Sequence, residues 1–115
     1  MSAKISVRHV NGVAVLDVSG RITLGEGSVG LRDAVHREIE AGTRKILLNL
    51  ADVGYMDSSG VGELTSAYSS VKHQGGEIKL VNLTKKVDGL MQITKLATVF
   101  DIASDENAAI ASFKS

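Results

Sequence analysis

The 115-residue chain has no cysteine, no proline and no tryptophan. Without cysteine, disulfides, thiolate zinc sites and cysteine nucleophiles are excluded, which suits a reducing cytosol. With only two Tyr and two Phe, a core has to be built from Val, Ile, Leu and Ala. An excess of either charge is also missing. Thirteen basic and thirteen acidic residues cancel, so no overall field points to nucleic acid or an anionic membrane. No apolar run approaches the ~20 residues of a membrane span. Met1-Ser2-Ala3-Lys4 leads directly into an alternating segment, without the apolar stretch of a secretory signal. These absences predict a cytoplasmic protein with neither membrane nor nucleic-acid partner.

The length predicts one domain over residues 1–115, able to bury roughly two thirds of its unfolded surface. Ile5 to Val10 alternates apolar and polar residues, Asn11-Gly12 supplies the two positive-φ positions of a type I′ turn, and Val13 to Val18 resumes as a second strand. Gly20 to Gly30 reads as a glycine-rich irregular stretch. A helix follows with Leu31, Ala34, Val35 and Ile39 on one face, ending at Gly42. Lys45 to Leu50 is nearly continuously apolar, as in a strand covered on both faces. A second helix is predicted from about Ser59 to His73, stopped by Gly75-Gly76, and a strand from Glu77 to Asn82. A third helix is capped by Thr84, a last strand runs from Thr98 to Ile102, and a final helix is capped by Ser104. The order ββαβαβαβα predicts an α/β fold: a hairpin, then βα units forming a mostly parallel sheet with right-handed crossovers.

In such sheets function collects where the chain leaves the carboxyl ends of strands. After the Ile46–Leu50 strand comes Ala51-Asp52-Val53-Gly54-Tyr55-Met56-Asp57-Ser58-Ser59-Gly60-Val61-Gly62. Two hydroxyls stand where the second helix begins, flanked by Asp57 and two glycines. By itself Asp-Ser-Ser-Gly reads first as an ordinary helix cap. It is also a position that tolerates a phosphate, because unpaired N–H groups and the helix dipole offset added negative charge by ~0.3–1 kcal/mol.

Context favours the second reading. Leu48-Asn49-Leu50, Asp52-Val53, Met56-Asp57-Ser58-Ser59-Gly60-Val61-Gly62 and Gly75-Gly76-Glu77-Ile78 together resemble the STAS domain, over essentially the whole chain. This module is shared by bacterial anti-sigma-factor antagonists and the tails of sulfate transporters. The resemblance implies the same hairpin-plus-βα fold and a non-enzymatic partner switch. The unmodified antagonist binds an anti-sigma factor that is also an ATP-dependent serine kinase. Phosphorylation releases it, and a PPM-type phosphatase restores it. On that reading Ser58 is the phosphoacceptor, Asp57 shapes the docking surface, Ser59 caps the helix, and Gly60 and Gly62 permit close approach of the kinase. Thr23, in the neighbouring loop, joins the partner-binding set. Where antagonists commonly carry Gly-x-Leu-Asp before the first helix, this chain has Gly20-Arg21-Ile22-Thr23-Leu24 and then Gly25-Glu26-Gly27, a looser loop without the acid. No cofactor is implied, and the expected state is a monomer or weak dimer.

Rival readings fare less well. A response-regulator receiver needs acidic residues at the end of an early strand, but those strands end in Val10-Asn11 and Ser19-Gly20. No Gly-x-Ser-x-Gly element or placed histidine supports a hydrolase. His9, His36 and His73 lack metal-ligand spacing, and Gly25-Glu26-Gly27 lacks the Gly-Lys-Ser/Thr ending of a phosphate loop. Lys85-Lys86 reads as a solvated helix start, and Met56 and Met91 as core fillers. The remaining alternative keeps the fold: a STAS module serving as a static, unphosphorylated subunit of a scaffold or transport complex.

Overall fold

The computed structural model describes residues 3–113, apart from the side chain of Glu26. The order of elements is β1 (Lys4–Val10), β2 (Val13–Ile22), α1 (Glu26–Glu40), β3 (Lys45–Met56), α2 (Ser58–His73), β4 (Glu77–Val81), α3 (Lys85–Ile93), a 3-10 turn (Leu96–Thr98), β5 (Asp101–Ala103) and α4 (Glu106–Ser112). Asn11 and Gly12 take φ of 51° and 80°, the positive pair that a two-residue hairpin turn demands. β1 therefore runs antiparallel to β2, while β2, β3, β4 and β5 are parallel neighbours in chain order.

Because neighbours in sequence are neighbours in the sheet, the right-handed crossovers lay α1, α2 and α3 on one face. Alternate side chains of the strands point there. Leu16 and Val18 of β2, Ile46, Leu48 and Leu50 of β3, and Ile78 and Leu80 of β4 pack with Leu31, Val35, Leu64, Val71, Val87 and Met91. The intervening positions, Val13, Val15, Leu47 and Val81, point the other way and meet Ala109, Ile110 and Phe113. Among the described residues, α4 alone covers that second face. Its placement explains why the centres of β2 and β3 are apolar at consecutive positions.

Lys79 fastens this helix. Its buried ammonium donates to the carbonyl and hydroxyl of Ser112 at 3.2 and 2.8 Å and lies 5.0 Å from the centre of the Phe113 ring. Beyond α4 the same face is polar. Arg8 bridges Asp17 and Glu106, and Asp17 accepts from Asn49, which accepts from Asn82. Hydrogen bonding from Arg8 holds the Asp17 carboxyl below the usual carboxylate range.

The sequence reading needs four corrections here. Gly20 to Gly30 is not irregular: β2 continues to Ile22 and α1 starts at Glu26, leaving Thr23–Gly25 as the connection. The loop is tight rather than loose, since a Cβ on Gly27 would lie 2.6 Å from the Arg21 carbonyl oxygen. The last strand is shorter and later than Thr98–Ile102, because Leu96–Thr98 winds into a 3-10 turn after Lys95 adopts a left-handed conformation. Finally, α4 is capped by Asp105, whose carboxylate accepts from the Ala108 amide at 2.9 Å, and not by Ser104.

Candidate functional site

β3 outruns the sheet. Its pairing with β4 stops at Asn49, whereas its pairing with β2 continues through Asp52, Val53, Tyr55 and Met56. Register shifts between Asp17 and Ser19 and between Gly20 and Arg21 bend this two-stranded ribbon. Val53 and Met56 remain buried while Asp52, Gly54 and Tyr55 face out. Thr84, at the start of α3, donates its hydroxyl to the Val53 carbonyl at 3.0 Å and so ties the ribbon to the helical layer. The ribbon ends in two connections side by side, Thr23–Gly25 leading to α1 and Asp57 leading to α2.

Asp57 joins them. One carboxylate oxygen accepts from the amides of Ser59 and Gly60 at 2.9 and 3.2 Å, and the other accepts from the Leu24 amide at 3.3 Å. Its own amide donates to the Ile22 carbonyl. The cap of α2 is therefore Asp57, which displaces Ser59 from the role expected of it, and the helix begins one residue early, at Ser58. An aspartate with extended backbone satisfies two of the orphan donors at once.

This changes the electrostatics of the position. The amino end of α2 already holds a carboxylate, so a further anion on Ser58 would share that favourable field instead of entering an empty one. Ser58 is exposed, and its hydroxyl makes no hydrogen bond to another described residue. Ser59 is half-buried.

The two glycines separate. Gly60 is buried, and a Cβ there would lie 2.4 Å from Met56 Cγ and 2.6 Å from the Ile22 carbonyl oxygen. The close approach it permits is internal, between α2 and the end of β2. Gly62 is exposed, with nothing within 4 Å of an added Cβ. Thr23 is half-buried, and its carbonyl accepts from both the amide and the hydroxyl of Ser28, fixing the start of α1. The structure thus brings Thr23, Asp57, Ser58, Ser59 and Gly62 to one rim.

Sequence reasoning overlooked two apolar residues there. Leu24 is 83% exposed on the loop that Asp57 holds, and Tyr55 is 39% exposed with the Arg21 guanidinium 4.8 Å from its ring centre. Leu24 was detectable as an apolar residue between helical and strand patterns that belongs to neither. Among the described residues no group of acidic, histidine or cysteine side chains could hold a metal ion, and no helix is long and apolar enough to cross a membrane.

Comparison with known proteins accords with this arrangement. The anti-sigma-B factor antagonist of Bacillus subtilis is 30% identical over 110 residues, covering 96% of this chain and 99% of its own. The crystal structure of a putative anti-sigma factor antagonist from Thermotoga maritima superposes with a TM-score of 0.88 at 24% identity, covering 96% of this chain and 95% of that one. The Bacillus cell-fate determinant SpoIIAA in its phosphorylated form superposes with a TM-score of 0.74 at 21% identity, covering 94% and 97%. Residues 4–109 match the STAS domain, and the chain belongs to that family.

Proposed function

We propose that the chain is a cytoplasmic, non-enzymatic anti-sigma-factor antagonist whose binding is switched off by phosphorylation of Ser58. The observation that carries this reading is the exposed, unbonded Ser58 hydroxyl beside a carboxylate that already fills the helix start. A phosphoryl group there adds about 1.5–2 negative charges and strong acceptor oxygens. With the local amides occupied by Asp57, those oxygens project outward, so the modification alters the surface and leaves the fold intact. The similarity to the Bacillus subtilis antagonist over nearly the full length of both chains supports an anti-sigma factor as partner, and a phosphorylated form of SpoIIAA supports the modification. The partner acts as an ATP-dependent serine kinase, and a PPM-type phosphatase resets the switch. The rim of Thr23, Asp57, Ser58, Ser59 and Gly62 contacts the partner, with Gly60 shaping it from beneath.

A phosphate that costs the complex ~3 kcal/mol lowers affinity more than a hundredfold. The test combines the chain with the anti-sigma factor kinase of the same genome and ATP. Mass spectrometry should find phosphate on Ser58. Ser58→Ala should bind and resist release, and Ser58→Asp should bind roughly a hundredfold more weakly. Phosphate on another residue, or two variants that bind like wild type, would refute the switch.

A further inference from the structure

The ribbon and α3 enclose a groove of about 320 Å³, lined by Tyr55, Gly89, Leu90 and Ile93 together with Lys85 and Lys86. Ile93 is 80% exposed, an unusual position for a large aliphatic side chain at the end of an amphipathic helix. The charges around the groove are one-sided. Lys86 lies 5.8 Å from the centre of the same Tyr55 ring that Arg21 covers. None of Arg21, Lys85 and Lys86 pairs with a carboxylate among the described residues. Asp88, on the same helix, lines a neighbouring depression beside Asn82 and Ile102 that shares Lys85 with the groove, and no ion pair joins the two side chains among the described residues. In a chain whose formal charge sums to zero, two lysines on the groove wall and Arg21 over the Tyr55 ring, none paired with a carboxylate among the described residues, form a local positive field.

The floor of the groove is Gly89. Glycine inside a helix weakens it relative to alanine, and neither packing nor backbone geometry requires glycine here. An added Cβ meets nothing within 4 Å, and Gly89 is not among the glycines with positive φ. Gly30, Gly54 and Gly62 are open in the same way, but Gly89 is the one that deepens a cationic, apolar groove. Met56, which also lines the groove, is the residue that packs beneath Gly60. Ser58 follows two positions after this groove-lining methionine, so the loop that bears it leaves from the edge of the groove.

We propose that this groove receives an acidic segment of the anti-sigma factor that carries an apolar anchor side chain. The inference rests on the switch reading above and gives it a sign. The anchor fills the space over Gly89 against Tyr55, Leu90 and Ile93, while the carboxylates meet Arg21, Lys85 and Lys86. A phosphoryl group on nearby Ser58 then repels the incoming carboxylates and competes with them for the same cations. Release on phosphorylation follows from charge alone.

Two probes test the groove. The ¹⁵N-labelled chain is titrated with the amidated peptide Glu-Leu-Glu-Glu-Leu-Leu-Glu and with its counterpart in which every Glu is Lys. The acidic peptide should shift the amides of Tyr55 and of α3, with an affinity that falls as salt rises and screening shortens, whereas the basic one should not. Gly89→Leu, which the open space over the glycine lets fold, and the double variant Lys85→Glu/Lys86→Glu should each abolish those shifts. Shifts scattered over the surface, or equal for both peptides, overturn the proposal. Against the purified anti-sigma factor both variants should bind at least ~10-fold more weakly, and the charge variant should also lose most of the salt dependence. If both bind it like wild type while Ser58→Asp does not, the groove proposal fails and the switch stands. If they weaken binding while Ser58→Asp is neutral, the groove stands and the switch fails.

Discussion

From Lys45 to Asn49, β3 lies between β2 and β4, and Ile46, Leu47 and Leu48 are fully buried. Beyond Leu50 it keeps only β2 beside it, and along Ala51–Met56 only Val53 and Met56 are buried. The first half reaches two hydrophobic layers, one on each face of the sheet. The second half reaches one, and spends its outward positions on the rim that carries Ser58. A strand that overshoots its sheet thus gains surface for a partner while its anchored half supplies the rigidity. Neither half could do both, since a position buried on two faces cannot be read from outside.

The contrast can be broken hardest in the anchored half. Leu48→Ala removes a fully buried side chain from the larger core and should cost about 3 kcal/mol of unfolding free energy, measured by urea denaturation. A loss below about 1 kcal/mol would mean that this layer relaxes around the cavity and is not the anchor described. Next in size is Gly60→Ala, where helix and ribbon meet. Met56 Cγ can move away from the new methyl, but the Ile22 carbonyl oxygen is backbone and cannot move without shifting β2. The expected cost is about 1–3 kcal/mol. Gly62→Ala, inside α2 with open space around it, should cost nothing and gain up to about 1 kcal/mol in the same measurement.

The anchored half was legible in the sequence, because continuous aliphatic runs, a type I′ dipeptide and helical spacing are local signals that burial reinforces. Ile46-Leu47-Leu48 announced a strand covered on both faces, and Asn11-Gly12 the turn between β1 and β2. The overshooting half was not. Its identity as a strand depends on β2 continuing through Gly20 and Arg21, where glycine and a register shift erase the alternation. The cap of α2 was misread for a related reason: Asp57 and Ser59 are both good cap residues, and only the backbone decides which side chain meets the free amides. The position of Ser58 was legible through its motif. The loop partner of Asp57, the Leu24 amide, is a contact across 33 positions and has no signature in local sequence.

A smaller effect isolates that contact. Asp57→Ala removes the cap and the hold on Leu24 together and should cost about 1 kcal/mol. Asp57→Asn retains an acceptor oxygen for the helix amides and should recover much of the loss. Hydrogen exchange separates the two roles. In Asp57→Ala the Leu24 amide should exchange faster, while amides in the Lys45–Leu50 half of β3 should be protected as before. Equal acceleration in both regions would show that the rim and the anchored half open as one unit.

The smallest effect lies at the junction between the halves, where Asn49 bonds Asp17 and Asp17 pairs with Arg8. Hydrogen bonds from Arg8 favour the ionised form of Asp17 in the folded state, so its folded pKa lies below its ordinary value of 3.8. The unfolded chain binds the proton more readily. The stabilisation is therefore fully present above the unfolded value and disappears as pH falls through the lower, folded one. At pH 7 the pair contributes, and below about pH 4 it fades. Asp17→Asn has no such titration. Its melting temperature should fall less than that of wild type between neutral pH and about pH 3, the two curves converging in acid. Because Arg8 also bonds Glu106 and the pair is partly solvated, the difference should be small next to that of Leu48→Ala. Parallel pH profiles would show that Asp17 gains nothing from Arg8, and that the division of β3 is maintained by strand pairing without help from the polar network at Asn49.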